Sequence, residues 1–385
     1  MTRVKLLYCG QGMTTLVEVY DSGNADGPAD YLALVDCGGD DGGGAIEYIA
    51  GKVQASRNKR LDLIVISHQD NDHNELLAPL AARLDSLGGV TLGDVFLGGR
   101  LWGDRNKKTV KDFASTFGLA LEGAQFNAAC HSDYLGVSER SGLRFLSSYG
   151  DGGPDDVFVR VLVANLPLSG RADLVKNGTS AVVVVENGRD AVILPGDATY
   201  ETMRWINALA RFDRLLPTHG VLGMEIPHHG ALRTSVERYL AKGKVSDFNW
   251  NILYSFAELT MKPKAIGASS GHDNSFHHPL EEVLEHFTGT THPAPSHTYV
   301  SYGFTSREWD TRLSERAVYT TVSGFSRSAP WPVTRSQGKP FEYGDIWFNI
   351  TSLGVVRPEE VMEFKPRGKQ GARLAGVAPL LAPAP

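Results

Sequence analysis

Short apolar runs separated by glycine-rich breaks fill the first hundred residues. "VKLLYC" (4–9), "TTLVEVY" (14–20) and "YLALVDC" (31–37) have β-type composition and are divided by Gly, Asn and Asp, which predicts three strands. "GAIEYIAGKVQA" (44–55) then takes helical spacing, and "LDLIVIS" (61–67) is a buried-strand run. "NELLAPLAARLDSL" (74–87) is an apolar-striped helix, and "GDVFLGG" (93–99) is the next strand. Residues from about 105 to 155 show no clear period. A second block follows, with strands "DVFVRVLVAN", "SAVVVVEN" and "DAVILPGD", the last two joined by an "NGR" hairpin turn. Helix "TYETMRWINALARF" leads to strand "VLGMEIPHHG", strand "KPKAIGASS", helix "PLEEVLEHF", and strands "RAVYTTVSGF" and "GDIWFNITSLGVV". Two mixed sheets packed face to face with helices outside accommodate this order.

One polar stretch interrupts the pattern. "VISHQDNDHNELL" places His68, Asp70, Asp72 and His73 within six residues, between a buried strand and a helix with Asn74 at its expected cap. Imidazoles and carboxylates so spaced at a strand end can converge on one or two cations, and the mixture suits zinc, manganese or iron. Other strand ends carry similar groups: Asp197 in "VILPGDA", the pair His228-His229 in "MEIPHHGAL", and His272, His277 and His278 in "ASSGHDNSFHHPLEEVL". His131, His219, His286, His292 and His297 are expected to be structural.

Composition narrows the chemistry. The 385-residue chain is 42% hydrophobic and carries a net charge of −6, which offers no global attraction to a polyanion. Its 42 glycines predict tight turns and close backbone approaches. Three cysteines without a C-x-x-C pair point to reduced thiols and a cytoplasmic location. No segment reaches the roughly 18 apolar residues of a membrane span, so no membrane partner is expected.

The ordered series of motifs resembles the metallo-β-lactamase superfamily, most closely the hydrolase domain of ComEC-type competence proteins. The likeness rests on "CGQGMTTLVEV" with "LVDCGG", on "ISHQDNDH", on "NGTSAVVVVENGRDAVILPGD", and on "IPHHGAL" with "ASSGHDNSFHHPLEEVL". It covers roughly residues 3–290. The resemblance implies an α/β fold, an αββα sandwich of two mixed β-sheets flanked by helices. One hydrolase domain would span 1–363 with a C-terminal β extension, followed by a flexible tail over 364–385.

The resemblance also implies a centre holding one or two ions, Zn2+ or Mn2+. His68 and Asp70 would hold the first position, Asp72, His73 and His229 the second, and Asp197 would bridge them. An aspartate at position 70, where many members have His, makes the first position more anionic. The family's third histidine has no counterpart, and Asn165 stands about where it is expected. A metal so held activates water for attack on phosphorus or a carbonyl carbon, with Asp72 orienting that water. His278, helped by Asn274 or His277, would serve the leaving group, or else simply start a helix. Asn177 and Ser180 would touch substrate, shape the Asp197 loop, or form a turn.

A phosphodiester, small or in a nucleic acid, is the expected substrate. A lactone, ester or amide on the same site is the alternative, and a metal-free scaffold the third reading. A protein partner would engage the middle region or the C-terminal extension.

Overall fold

The computed structural model describes residues 1–21, 26–127, 144–150, 156–166, 168, 172–188, 190–210, 220–236, 247–269, 271, 283, 317–321, 341–350 and 362–370. Among these, fourteen strands form two seven-stranded sheets. The first contains β1 (Thr2–Leu6), β2 (Thr14–Val19), β3 (Tyr31–Cys37), β4 (Arg60–Ile66) and β5 (Thr91–Leu97) side by side. Pairing is antiparallel from β1 to β3 and parallel from β3 to β5. The second sheet contains β6 (Arg144–Tyr149), β7 (Val157–Val163), β8 (Val182–Asn187), β9 (Asp190–Leu194), β10 (Gly220–Glu225), β11 (Ala265–Ala268) and β12 (Ala317–Thr320). It is antiparallel from β6 to β9 and parallel from β9 to β12. The expected "NGR" hairpin joins β8 to β9, with Asn187 opposite Asp190.

Alternation along the strands builds the layers. Val4, Leu6, Val17, Ala33 and Val65 belong to a core shared with the valines of β7 and β8. The intervening Leu16, Leu32, Leu34, Ile64 and Ile66 pack with α1 (Gly43–Ala55), α2 (Leu77–Asp85) and α3 (Asp104–Thr116). On the second sheet lie α5 (Tyr200–Ala210) and α7 (Asp247–Tyr254), the latter continued by a π-helical turn over Ser255–Met261. Two short helices, α4 (Ala172–Gly178) and α6 (Leu232–Val236), sit in connections. The architecture is the αββα sandwich of two mixed sheets.

The C-terminal strands complete the first sheet. β13 (Phe341–Ile350) pairs antiparallel with β1, and β14 (Met362–Gln370) pairs with β13. Phe348 of β13 is buried between the sheets, and a Cβ on Gly223 of β10 would lie 2.4 Å from its ring. Glycine at 223 therefore makes the room that Phe348 fills. β14 reaches Gln370, past Phe364 where the tail was expected to begin; residues 371–385 lie outside those described. The Lys, Pro and Gly of β14 disguise it in the sequence, but as the sheet's edge it needs ladder partners on one side only.

Two further differences have local causes. The unreadable middle holds α3, a helix so polar that only Val110, Phe113 and Ala114 are buried, and the strand β6. α2 starts at Leu77, after Leu76, and no side chain caps it. The Asn74 amide instead donates to the carbonyls of Gln69 (3.2 Å) and Asp70 (2.7 Å), holding the loop from His68 to His73 in shape.

Candidate metal centre

The carboxyl ends of β3, β4, β9 and β10 meet at one rim of the sandwich, and the sequence places its polar groups there. β4 ends in Ser67-His68, after which the chain makes a 3-10 turn over Asn71–His73. β9 ends before Gly196-Asp197, and β10 before the turn Pro227–Gly230. Carboxyl ends of parallel strands are where α/β sheets commonly present ligands.

Six of the seven expected site residues are described, and they converge. Asp197 is the hub. Its Oδ1 lies 3.1 Å from His73 Nε2, while its Oδ2 lies 3.4 Å from His68 Nε2 and 3.3 Å from His228 Nε2. Asp70 Oδ2 lies 3.8 Å from His68 Nε2, and Asp72 Oδ2 lies 3.8 Å from His229 Nε2. His68, His73 and Asp197 form one group that could hold an ion, and Asp72, His73 and His229 another. His278, with His272, His277 and Asn274, lies outside the described residues.

The imidazoles are aimed from behind. His73 Nδ1 donates to Asp36 Oδ2 at 2.8 Å, and His229 Nδ1 donates to the Ser269 carbonyl at 3.0 Å. His68 Nδ1 is 3.2 Å from Ser67 Oγ. Metal-binding histidines characteristically tie the far ring nitrogen to a carboxylate, carbonyl or hydroxyl, which fixes the tautomer and the ring direction.

Asp36 is the main residue that the sequence reading missed. It also accepts from the Ser67 N–H and hydroxyl, at 2.6 and 2.7 Å, and it holds a left-handed φ of 56°. A non-glycine residue in that conformation persists where its surroundings over-determine it. "LVDCGG" contained the only signal, a carboxylate ending an otherwise apolar strand. Ser180 takes the structural role among those expected for it: its Oγ accepts the Asp197 N–H at 3.1 Å. Asn165 is buried at the end of β7 with φ 59°, its N–H donating to the Thr179 carbonyl.

Electrostatics fit a cation. Burial opposes ionisation of Asp197, but His228, His73 and His68 outweigh it and hold the carboxyl well below the usual range. At Asp72, too, burial is overcome, by the charge of His73 and the neighbouring His229, and the carboxyl is lowered. Burial disfavours charge on His73 as well, yet Asp197, Asp36 and Asp72 raise it well above the ordinary imidazole value. A proton is favoured on His73, at the place where a dication would bring positive charge. The buried Nε2 atoms of His68 and His73 face the Asp197 carboxylate without forming a well-aligned hydrogen bond to it. Polar atoms left so are costly unless they bind something. Ligands about 2.1 Å from a tetrahedral ion stand roughly 3.4 Å apart, which the spacings around Asp197 match. The donor set therefore fits a metal.

No protein-family model matches the sequence, and no curated protein sequence does. Solved structures of similar shape include the metallo-β-lactamase fold protein YhfI from Bacillus subtilis, at 15% identity and a TM-score of 0.41, covering 84% of this chain and 98% of that one. A diphosphatase of the PhnP family is 13% identical with a TM-score of 0.32, covering 69% of this chain and 85% of that one. CmlA, a diiron β-hydroxylase from Streptomyces venezuelae, is 13% identical with a TM-score of 0.35. That match covers 69% of this chain and 44% of CmlA.

Proposed function

We propose that the protein is a metal-dependent hydrolase of phosphodiesters, acting in the cytoplasm with Zn2+ or Mn2+. The observation that carries the reading is the two-faced Asp197 carboxylate, each oxygen turned to a different set of imidazoles. A scaffold would have no use for that convergence, since every charge buried there costs stability unless something is bound. When bound, the metal supplies an activated water and neutralises charge developing on the substrate.

The chain's own groups divide the remaining work. His68, Asp70, Asp72, His73, Asp197 and His229 would hold the ions. Asp72, about a third exposed, borders the open side of the centre and orients the attacking water. Asp36, Ser67 and Ser269 fix the imidazoles and so keep the donors in place without reorganisation. His278 is assigned to the leaving group.

An anionic substrate is favoured by Lys176. Its Nζ stands 3.8 Å from Asp70 Oδ1, and the side chain is 40% exposed, at the mouth of the centre. An ammonium there can move from Asp70 to a phosphate oxygen as substrate enters. A neutral lactone or ester gains nothing from it.

Lys176→Ala should raise KM for bis(p-nitrophenyl) phosphate about tenfold, the effect of losing one charge-assisted contact, with a smaller change in kcat. Hydrolysis of a neutral p-nitrophenyl ester, if any, should be unchanged. Steady-state kinetics of both substrates at two salt concentrations checks this. An ester that is turned over faster than the diester, and unaffected by Lys176→Ala, would overturn the phosphodiester reading.

A further inference from the structure

The resemblance left the first metal position short of a histidine, with Asn165 where a ligand was expected. The structure brings another imidazole to the same oxygen. His228 Nε2 lies 3.3 Å from Asp197 Oδ2, alongside His68 Nε2 at 3.4 Å, while Oδ1 faces His73. We infer that His228 is a metal ligand, completing a first position with His68, Asp70 and Asp197 Oδ2, so that the centre holds two ions. This rests on the metal-centre reading above and extends it.

Three observations support it. First, the backbone is arranged to aim two consecutive side chains at one place. In a strand, neighbours point to opposite faces. His228 (φ 46°, ψ 51°) and His229 (φ 52°, ψ 16°) are both left-handed, and both imidazoles reach the centre, one at Asp197 and one at Asp72. Left-handed conformations at two successive non-glycine residues are costly and persist where the surroundings fix them. A single useful histidine at 229 would not require the second.

Second, His228 is held from behind as the other three are. Its Nδ1 lies 3.2 Å from the side-chain amide nitrogen of Asn177. The oxygen of that amide is buried without a hydrogen-bond partner among the described residues. Turning the amide over, which its shape permits, presents the oxygen to an Nδ1–H and leaves the Nε2 lone pair for a cation. Asn177 would then be the positioning residue for this ligand, a use for the "NGTS" motif that the mechanism had not absorbed.

Third, Asp197 Oδ2 has two imidazoles on it, His68 and His228, whereas Oδ1 faces His73, which stands close to His68 and also groups with Asp72 and His229. Imidazoles and carboxylates mixed in this way suit zinc, manganese or iron.

The test is metal content. Wild type, His228→Ala, His228→Gln and Asn177→Ala are stripped with chelator, equilibrated with Zn2+ or Mn2+, desalted and assayed by mass spectrometry. Thermal unfolding in chelator confirms that each variant is folded, and the Gln variant keeps the side-chain volume if Ala does not fold. The expected result is two ions per chain for wild type and one for either His228 variant. The weaker ion of Asn177→Ala should dissociate about 10- to 100-fold more readily, the usual effect of losing a supporting contact. Two ions retained as tightly by the His228 variants would overturn the inference. So would one ion on both wild type and variant. Wild type that binds no ion would overturn the metal centre itself, and is thereby distinguishable.

Discussion

Asp197→Ala is expected to release the metal and to lower kcat/KM for a phosphodiester on the order of 10^4-fold, equivalent to about 5.5 kcal/mol. The size follows from its place. Each oxygen faces separate imidazoles, so its loss removes a donor from both sides of the centre at once. The carboxylate is also buried, and the imidazoles of His228, His73 and His68 around it hold its carboxyl well below the usual range. Without it, the centre loses the buried negative charge that draws a cation in. Asp197→Asn keeps the shape and should lose the metal nearly as completely, which separates charge from packing. Metal content and steady-state kinetics of the two variants read the effect. Retention of stoichiometric metal by Asp197→Ala would remove the hub from the centre.

The second large effect is expected at a residue that carries no donor atom. Gly38 follows β3, and a Cβ there would lie 2.1 Å from the carbonyl carbon of Asp72, 2.2 Å from its oxygen and 2.3 Å from the His73 nitrogen. All three are backbone atoms and cannot swing aside. The loop has nowhere to retreat, because its Asp72 carbonyl accepts the Met13 N–H at 3.0 Å and Leu76 N–H donates to the Cys37 carbonyl. Gly38→Ala should therefore cost about 3 kcal/mol or more of folding stability, at the upper end for overpacking. It should also weaken metal binding more than tenfold, because Asp72 and His73 move together. Gly43→Ala is the control: its Cβ would meet nothing within 4 Å at the start of α1, and stability should be unchanged or slightly higher. Denaturant unfolding in chelator and a metal titration of both variants distinguish the cases. A Gly38→Ala protein as stable and as tightly metallated as wild type would show that the contact does not fix the loop.

What the sequence revealed follows from how locally each feature is encoded. β1 to β5 with α1 and α2 were legible because apolar residues recur with the period of the element and glycines mark the breaks. The candidate donors were legible because His68 to His73 lie within six residues at a strand end. Asp197 and His229 came from matching motifs at other strand ends, an inference from order rather than from contact.

The rest depended on tertiary structure. α3 packs through three residues on a strongly polar helix, too few to set a visible period. β14 carries a composition suited to a tail and is a strand because β13 offers it an edge. Asp36 looks like any strand-terminal carboxylate until Ser67 and His73 are seen to donate to it. His228 and His229 are adjacent and chemically identical in the sequence. Only the left-handed turn shows that both reach the centre.

The most direct test of the account is the hydrolysis of bis(p-nitrophenyl) phosphate by metal-stripped protein before and after Zn2+ or Mn2+ is restored, with Asp72→Ala alongside. The account predicts no turnover by the stripped protein, turnover that returns in proportion to the ions bound, and none in the variant. Turnover that persists without metal, or a fully metallated wild type that leaves the diester intact, would contradict it.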